Sequence, residues 1–127
     1  MKRVLNVVRV YDIAPAEPGY RVLVDRLWPR GVLKEALHPD LWAKDIAPST
    51  ELRKWFGHDK ARFGEFARLY RNELDINGEA AAFAKAIAGR LANEDVLLLY
   101  AAKNPNCNHA IVLRDRLNER MTRGTCL

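Results

Sequence analysis

Two cysteines, Cys107 and Cys126, in a chain of 127 residues are too few for a disulfide framework, and no C-x-x-C pair offers zinc-site spacing. Long apolar runs are missing too. The longest, VLLLYAA at 96–102, falls far short of the roughly 20 residues that a membrane span needs. The N-terminal MKRVLNVVRVYD has early positive charge but no uninterrupted apolar core before Arg9 and no small-residue cleavage site. It is not read as a signal peptide, and the chain is expected in the cytoplasm without a membrane partner. There is no Walker loop and no G-x-G-x-x-G, which removes the common nucleotide motifs. Concentrated charge is also lacking. The net charge is +5, yet residues 1–60 carry 11 Lys/Arg against 8 Asp/Glu, and residues 61–127 carry 10 against 8. No basic run exceeds two residues. Charge spread in this way attracts anions in general and lacks the stripe of a dedicated nucleic-acid binder.

What is present is an ordinary globular composition, 49% apolar and 29% charged, of a length that fits one domain over 1–127. VLNVVRV (4–10) and YRVLV (20–24) are short, β-branched and bounded by turn residues, so both are expected to be strands. Pro15, Pro18 and Gly19 separate them by too little chain for a crossover helix, which leaves their relative direction open. HPDLWAKDIAP (38–48) reads as a short helix between two prolines. Ser49 stands where an N-cap is wanted and Gly57 where a helix stops, so STELRKWFG is a second helix. Phe63, Phe66, Ala67, Tyr70 and Leu74 then recur at helical spacing, and after Asn77-Gly78 so do Phe83, Ala84, Ile87, Ala88 and Leu91. VLLLYAA is apolar on both faces, as in a covered parallel strand, and a last helix carries Ala110, Leu113, Leu117 and Met121 inward. The order is α/β: a small parallel or mostly parallel sheet of three to four strands with helices packed on both faces. The strands at 20–24 and 96–100 are expected to be parallel and adjacent or nearly so.

Ligands of such sheets gather beyond the carboxyl ends of the strands. Two strands here run into polar clusters, Asp25-Arg26-Leu27-Trp28-Pro29-Arg30-Gly31 and Lys103-Asn104-Pro105-Asn106-Cys107-Asn108-His109. Parallel strands bring both clusters to one edge. Arg26 and Arg30 suit bidentate capture of a phosphate or carboxylate, or else pair with Asp25 and Glu35 on the surface. Asp25 should be partly buried and accept from a nearby arginine or backbone N–H. Trp28 is more readily a packing residue than a stacking platform. Lys44, Arg53 and His58 face the same cleft or solvent. Ser49 reads as a helix cap, and nothing around it resembles G-x-S-x-G. Cys107, near Lys103 and His109, reads as a small core residue more readily than as a nucleophile. His58, His109 and Cys107 do not complete a zinc site, so neither metal nor cofactor is expected.

Taken in order, VDRLWPRG, LWAKDIAPSTELRKWFGHD, FARLYRNEL, and LLLYAAK followed by NHAIVL resemble the YeaO-like bacterial proteins of a domain-of-unknown-function family, from about Arg9 to Leu113. The resemblance implies a small cytoplasmic α/β protein with a parallel sheet, and brings no settled activity. Its polar motif falls here on Asp25, Arg26, Trp28, Arg30, Trp42 and Lys44. It continues through Ser49, Arg53, Trp55, His58, Tyr70 and Tyr100 to Lys103, Asn108 and His109. After Lys103 the family pattern has an acidic residue where this chain has Asn104-Pro105, with Cys107 in the loop.

Three functions of different classes follow. The first is an enzyme on a small anionic substrate, phosphorylated or nucleotide-like. Asp25 or His58 would move the proton, and Arg26, Trp28, Arg30, Lys44, Arg53, Lys103, Asn108 and His109 would bind the substrate. The second is a module that binds nucleic acid or a modified nucleotide without catalysis. The third is a structural or interaction protein whose charges form a solvated face.

Overall fold

A computed structural model describes residues 3–14 and 16–124. Four strands form one parallel sheet: β1 (Leu5–Arg9), β2 (Tyr20–Leu23), β3 (Leu41–Trp42) and β4 (Val96–Tyr100), in the order β1-β4-β2-β3. β4 is the centre. It pairs with β1 from Leu5 opposite Val96 to Arg9 opposite Tyr100, and with β2 from Tyr20 opposite Val96 to Leu23 opposite Leu99. With a neighbour on each edge and a layer on each face, all five β4 residues are buried, which is why VLLLY shows no apolar/polar alternation.

The helices are α1 (Lys34–Leu37), α2 (Thr50–Phe56), α3 (Phe63–Ile76), α4 (Gly78–Leu91) and α5 (His109–Gly124). They lie on both faces, unequally. Leu52 and Phe56 of α2, Phe66, Tyr70 and Leu74 of α3, Phe83 and Ile87 of α4, and Leu113 and Leu117 of α5 share one core with Val22, Val96 and Leu98. The opposite core, around Leu23, Leu97 and Leu99, is closed by Leu37 of α1, by Val10 and Ile13, and by Trp28 and Trp42.

Because β4 lies between β1 and β2, the chain returns from one to the other across that second face without a helix. Arg21 holds this return in place. It is 7% exposed, and its guanidinium donates to Leu37 O at 2.7 Å, Ala14 O at 3.2 Å and Glu17 O at 3.4 Å. Gly19 sits at the tightest point with φ +131°, where a Cβ would stand 3.1 Å from Asp95 O. That approach lets Tyr20 N–H donate to the same carbonyl and start the β2–β4 ladder.

The helix expected over 38–48 is corrected: Leu41–Trp42 is a strand, followed by a 3-10 turn at Lys44–Ile46. The free edge of β2 decides this. Asp40 N–H donates to Arg21 O and Ala43 N–H to Leu23 O, while Asp40 Oδ2 accepts from Arg21 N–H at 2.8 Å. Pairing that edge outweighs a weak local preference for helix over so few residues. Ala88, expected inward, is exposed on α4. Ser49 caps α2 as expected, accepting from Leu52 N–H at 3.2 Å, and Gly57 ends the helix at φ +52°. The cap is itself held, since Glu73 accepts from Ser49 Oγ–H at 2.6 Å and from Ser49 N–H at 2.9 Å.

Tyr70 joins the helix layer to the turn after β3. It is fully buried, and its hydroxyl donates to Ile46 O at 2.6 Å. Burial, seconded by the nearby Glu73 charge, holds its proton far above the usual tyrosine range. An unfolded tyrosine ionises near pH ~10. The folded form therefore keeps this residue's full contribution below that pH and loses it as pH rises further. Tyr70→Phe is expected to cost about 1–3 kcal/mol at neutral pH, because Ile46 O loses its donor. Thermal melts from pH ~7 upward should show the variant losing stability less steeply than wild type above pH ~10. Parallel slopes would remove Tyr70 from the alkaline transition.

Candidate functional site

All four strands point the same way, so the segments that leave them meet at one edge and enclose a cleft of about 630 Å³. Tyr11 comes from the segment after β1, Asp25 to Arg30 from that after β2, Ala47, Pro48 and Arg53 from that after β3, and Ala101 to Asn104 with Asn108 and His109 from that after β4. Phe56 and Phe66, stacked at 4.2 Å, also contribute to the wall.

The β2 segment is pinned at several points. Trp42 Nε1–H donates to Asp25 O and Trp28 Nε1–H to Val32 O, both at 2.7 Å. The two indoles meet edge to face at 5.5 Å. Pro29 is buried. Arg26 donates through Nε to Pro48 O at 3.3 Å and through a terminal nitrogen to Ala47 O at 3.2 Å, tying the β2 segment to the approach to α2. The run of charge and rigidity after β2 thus builds one wall of the cleft.

At the strand ends stands a carboxylate–imidazole pair. Asp25 is partly buried, and its Oδ2 accepts from Ala101 N–H at 3.0 Å, linking the ends of β2 and β4. His109, the first residue of α5, places Nε2 3.0 Å from Asp25 Oδ1 and 3.0 Å from Val24 O. Two acceptors at that distance require Nε2 to carry a hydrogen. The hydrogen aligns with the carbonyl, which leaves Oδ1 a buried oxygen in charge contact with the ring but without an aligned hydrogen bond. The Tyr70 ring meets the imidazole edge to face at 6.4 Å.

The β4 segment folds on its own amides. Asn104 Oδ1 accepts from the N–H groups of Asn106 and Cys107, and Asn108 Nδ2–H donates to Asn104 O. Asn108 is buried and caps α5 by accepting from Ile111 N–H at 3.0 Å. Cys107 is half-buried and does not line the cleft, and Cys126 lies outside the described residues.

Of the candidate site residues, Asp25, Arg26, Trp28, Arg30, Arg53, His58, Lys103, Asn108 and His109 line the cleft. Lys44 does not: its ammonium lies over the Trp42 ring at 4.8 Å, turned aside where the expected helix gives way to a 3-10 turn. His58 is an exposed rim residue with φ +58°. Sequence reasoning missed Tyr11 as a lining residue, and it placed Asn104 in the polar cluster after β4 without counting it among the binding residues. Tyr11 follows VVRV at a strand's carboxyl end, the same signal that drew attention to Asp25. Among the described residues no group of three or more His, Cys, Asp or Glu is placed to hold a metal ion, and no helix is long and apolar enough to cross a membrane.

The uncharacterized protein YeaO of Escherichia coli is 46% identical over 109 residues, covering 86% of this chain and 92% of that protein. Uncharacterized proteins of Mycobacterium tuberculosis and Mycobacterium bovis are each 40% identical over 116 residues, covering 91% of this chain and 95% of theirs. No solved structure matches. The family DUF488-N3i, described as the inactive DUF488-N3 subclade, matches residues 4–125, and the chain belongs to it.

Proposed function

We propose that this chain binds a small phosphate- or carboxylate-bearing ligand in the cleft and holds it without turning it over. The observation that carries the reading is the state of the cleft's cations. Arg26, Arg30, Arg53 and Lys103 line it against one carboxylate, Asp25, among the described residues. The side chains of Arg30, Arg53 and Lys103 have no hydrogen bond, ion pair or ring contact among the described residues. Several arginines outside the cleft are ion-paired: Arg68 with Glu65, Arg71 with Glu119, Arg90 with Glu94 and Arg116 with Asp75. Unmatched cations gathered in a concavity raise the local potential for an anion.

Two facts support binding over turnover. The family is described as inactive, and neither Ser49 nor Cys107 lines the cleft. The enzyme reading draws on a different observation, the approach of Asp25 to His109. That imidazole nitrogen already faces two acceptors, a geometry that serves to hold the ring. The cytoplasmic setting inferred from the sequence accords with a ligand drawn from soluble metabolites.

Arg30→Ala and Arg53→Ala are each expected to weaken binding of a phosphate ligand by about 1.5–3 kcal/mol, roughly ten- to more than a hundredfold, with the fold intact. Calorimetry on wild type and both variants, using inorganic phosphate, nucleotides and sugar phosphates, makes the comparison. Full affinity in both variants would overturn the anion clamp. Turnover of any of these phosphates that Asp25→Asn abolishes would replace binding by catalysis. Affinity for oligonucleotides that collapses as salt rises would favour the nucleic-acid module.

A further inference from the structure

Resting on the anion-binding reading, we infer that the ligand is an anion on a planar, apolar body, an aryl phosphate or aryl carboxylate, and that polyhydroxylated phosphates are poor ligands. The argument comes from what the cleft wall has left to offer. Its neutral hydrogen-bonding groups are largely occupied. Asn108 uses both ends of its amide, donating to Asn104 O and accepting from Ile111 N–H. Asn104 spends its side-chain oxygen on two backbone N–H groups. The Tyr11 hydroxyl donates to Arg30 O at 2.8 Å. The one carboxylate among the described lining residues, Asp25, gives Oδ2 to Ala101 N–H, and its Oδ1 is buried against His109 and out of a ligand's reach. A ligand rich in hydroxyls would lose water there and find few replacement partners, which is how sites reject such groups.

What the wall does offer is charge and uncovered apolar surface. Tyr11 is 46% exposed and Leu27 62% exposed, although both line a concave surface. Tyr11 is also held in orientation: Arg9 lies over its ring at 4.7 Å, and the hydroxyl is anchored to the same segment that carries Arg30. A planar ring is the body that gains most from an oriented aromatic side chain beside an exposed leucine.

The test compares phenyl phosphate, inositol monophosphate and inorganic phosphate, two of which carry a six-membered ring and differ in its hydroxyls. Calorimetry with wild type is expected to give phenyl phosphate about tenfold or more tighter binding than either of the others. Leu27→Ser should weaken phenyl phosphate severalfold while leaving inorganic phosphate unchanged, and Tyr11→Ser, which also frees the Arg30 segment, should weaken phenyl phosphate by a larger factor than inorganic phosphate. Leu27 is exposed enough that its variant tests the idea even if Tyr11→Ser fails to fold. If inositol monophosphate or inorganic phosphate binds as tightly as phenyl phosphate, with all of them weakened by Arg53→Ala, the ligand class is wrong and the anion site stands. If none of the three binds, or Arg53→Ala leaves all three unchanged, the anion site itself falls and this inference with it.

Discussion

Arg21→Met is expected to cost about 3–5 kcal/mol of folding stability, a large share of the roughly 5–15 kcal/mol that holds a domain of this size. The side chain lies within the buried face of β2 and is 7% exposed, so its charge is tolerated only because carbonyls surround it. Methionine fills similar space but donates nothing. It would leave Leu37 O without the guanidinium and release Ala14 and Glu17 from the return between β1 and β2. Hydrogen bonds from a charged donor are worth about 1.5–3 kcal/mol, and these share one donor group, so the sum falls below three independent bonds. Arg21→Lys should recover only part of the loss, since one ammonium cannot span carbonyls from two segments as a planar fork does. Urea unfolding gives the energies, and limited proteolysis should cut the variant first between residues 10 and 19. A loss under about 0.5 kcal/mol would mean that Arg21 merely fills space.

Arg21 also marks where sequence reasoning stops. Within YRVLV nothing local tells which face of the strand Arg21 shares or what covers it. That face is covered by the β1–β2 return, whose path depends on β4 inserting between β1 and β2. No local pattern announces an insertion made by residues so far along the chain. Elements whose signal is local are legible: the cap at Ser49, the left-handed stop at Gly57, the inward faces of α3 and α5, and the continuous apolar run of β4. β3 is not, because two residues carry no periodicity and it exists only by completing the edge of β2.

The location of the cleft was legible for a general reason. Once β2 and β4 are parallel, their carboxyl ends share an edge, and polar clusters that follow both strands must meet there. The division of labour within that edge was not. Whether an arginine faces a ligand or ties down a loop depends on carbonyls that only tertiary structure supplies: Arg26 is committed to Ala47 and Pro48, whereas Arg30 and Arg53 are not. The same reason separates Lys44, laid over Trp42, from Lys103, which lines the cleft.

Asp25 is the residue at which stability and binding should part. Asp25→Ala removes the acceptor for Ala101 N–H and the charge facing His109, and is expected to cost roughly 2–4 kcal/mol. Asp25→Asn is the sharper test. A carboxylate presents an acceptor at both oxygens, but an amide presents one acceptor and one donor. If its oxygen stays on Ala101 N–H, its NH2 faces the imidazole N–H; if it turns, the NH2 faces the backbone N–H. The imidazole can escape the first clash only by moving its hydrogen to the other nitrogen, which strips Val24 O of its donor. Every arrangement either loses a hydrogen bond or leaves a buried NH2 without an acceptor against an N–H, so about 1–3 kcal/mol should be lost. Binding should move the other way. If the cleft holds an anion as proposed, removing a negative charge from it is worth about 0.5 kcal/mol at 8 Å in water and about 2 kcal/mol at an effective dielectric of 20. Phosphate affinity of Asp25→Asn, measured by calorimetry below the variant's melting temperature, should therefore rise severalfold while the melting temperature falls. Unchanged stability in Asp25→Ala would show that Asp25 does not tie β2 to β4. A fall in affinity with stability preserved would instead put the carboxylate in contact with the ligand, accepting a hydrogen bond from it.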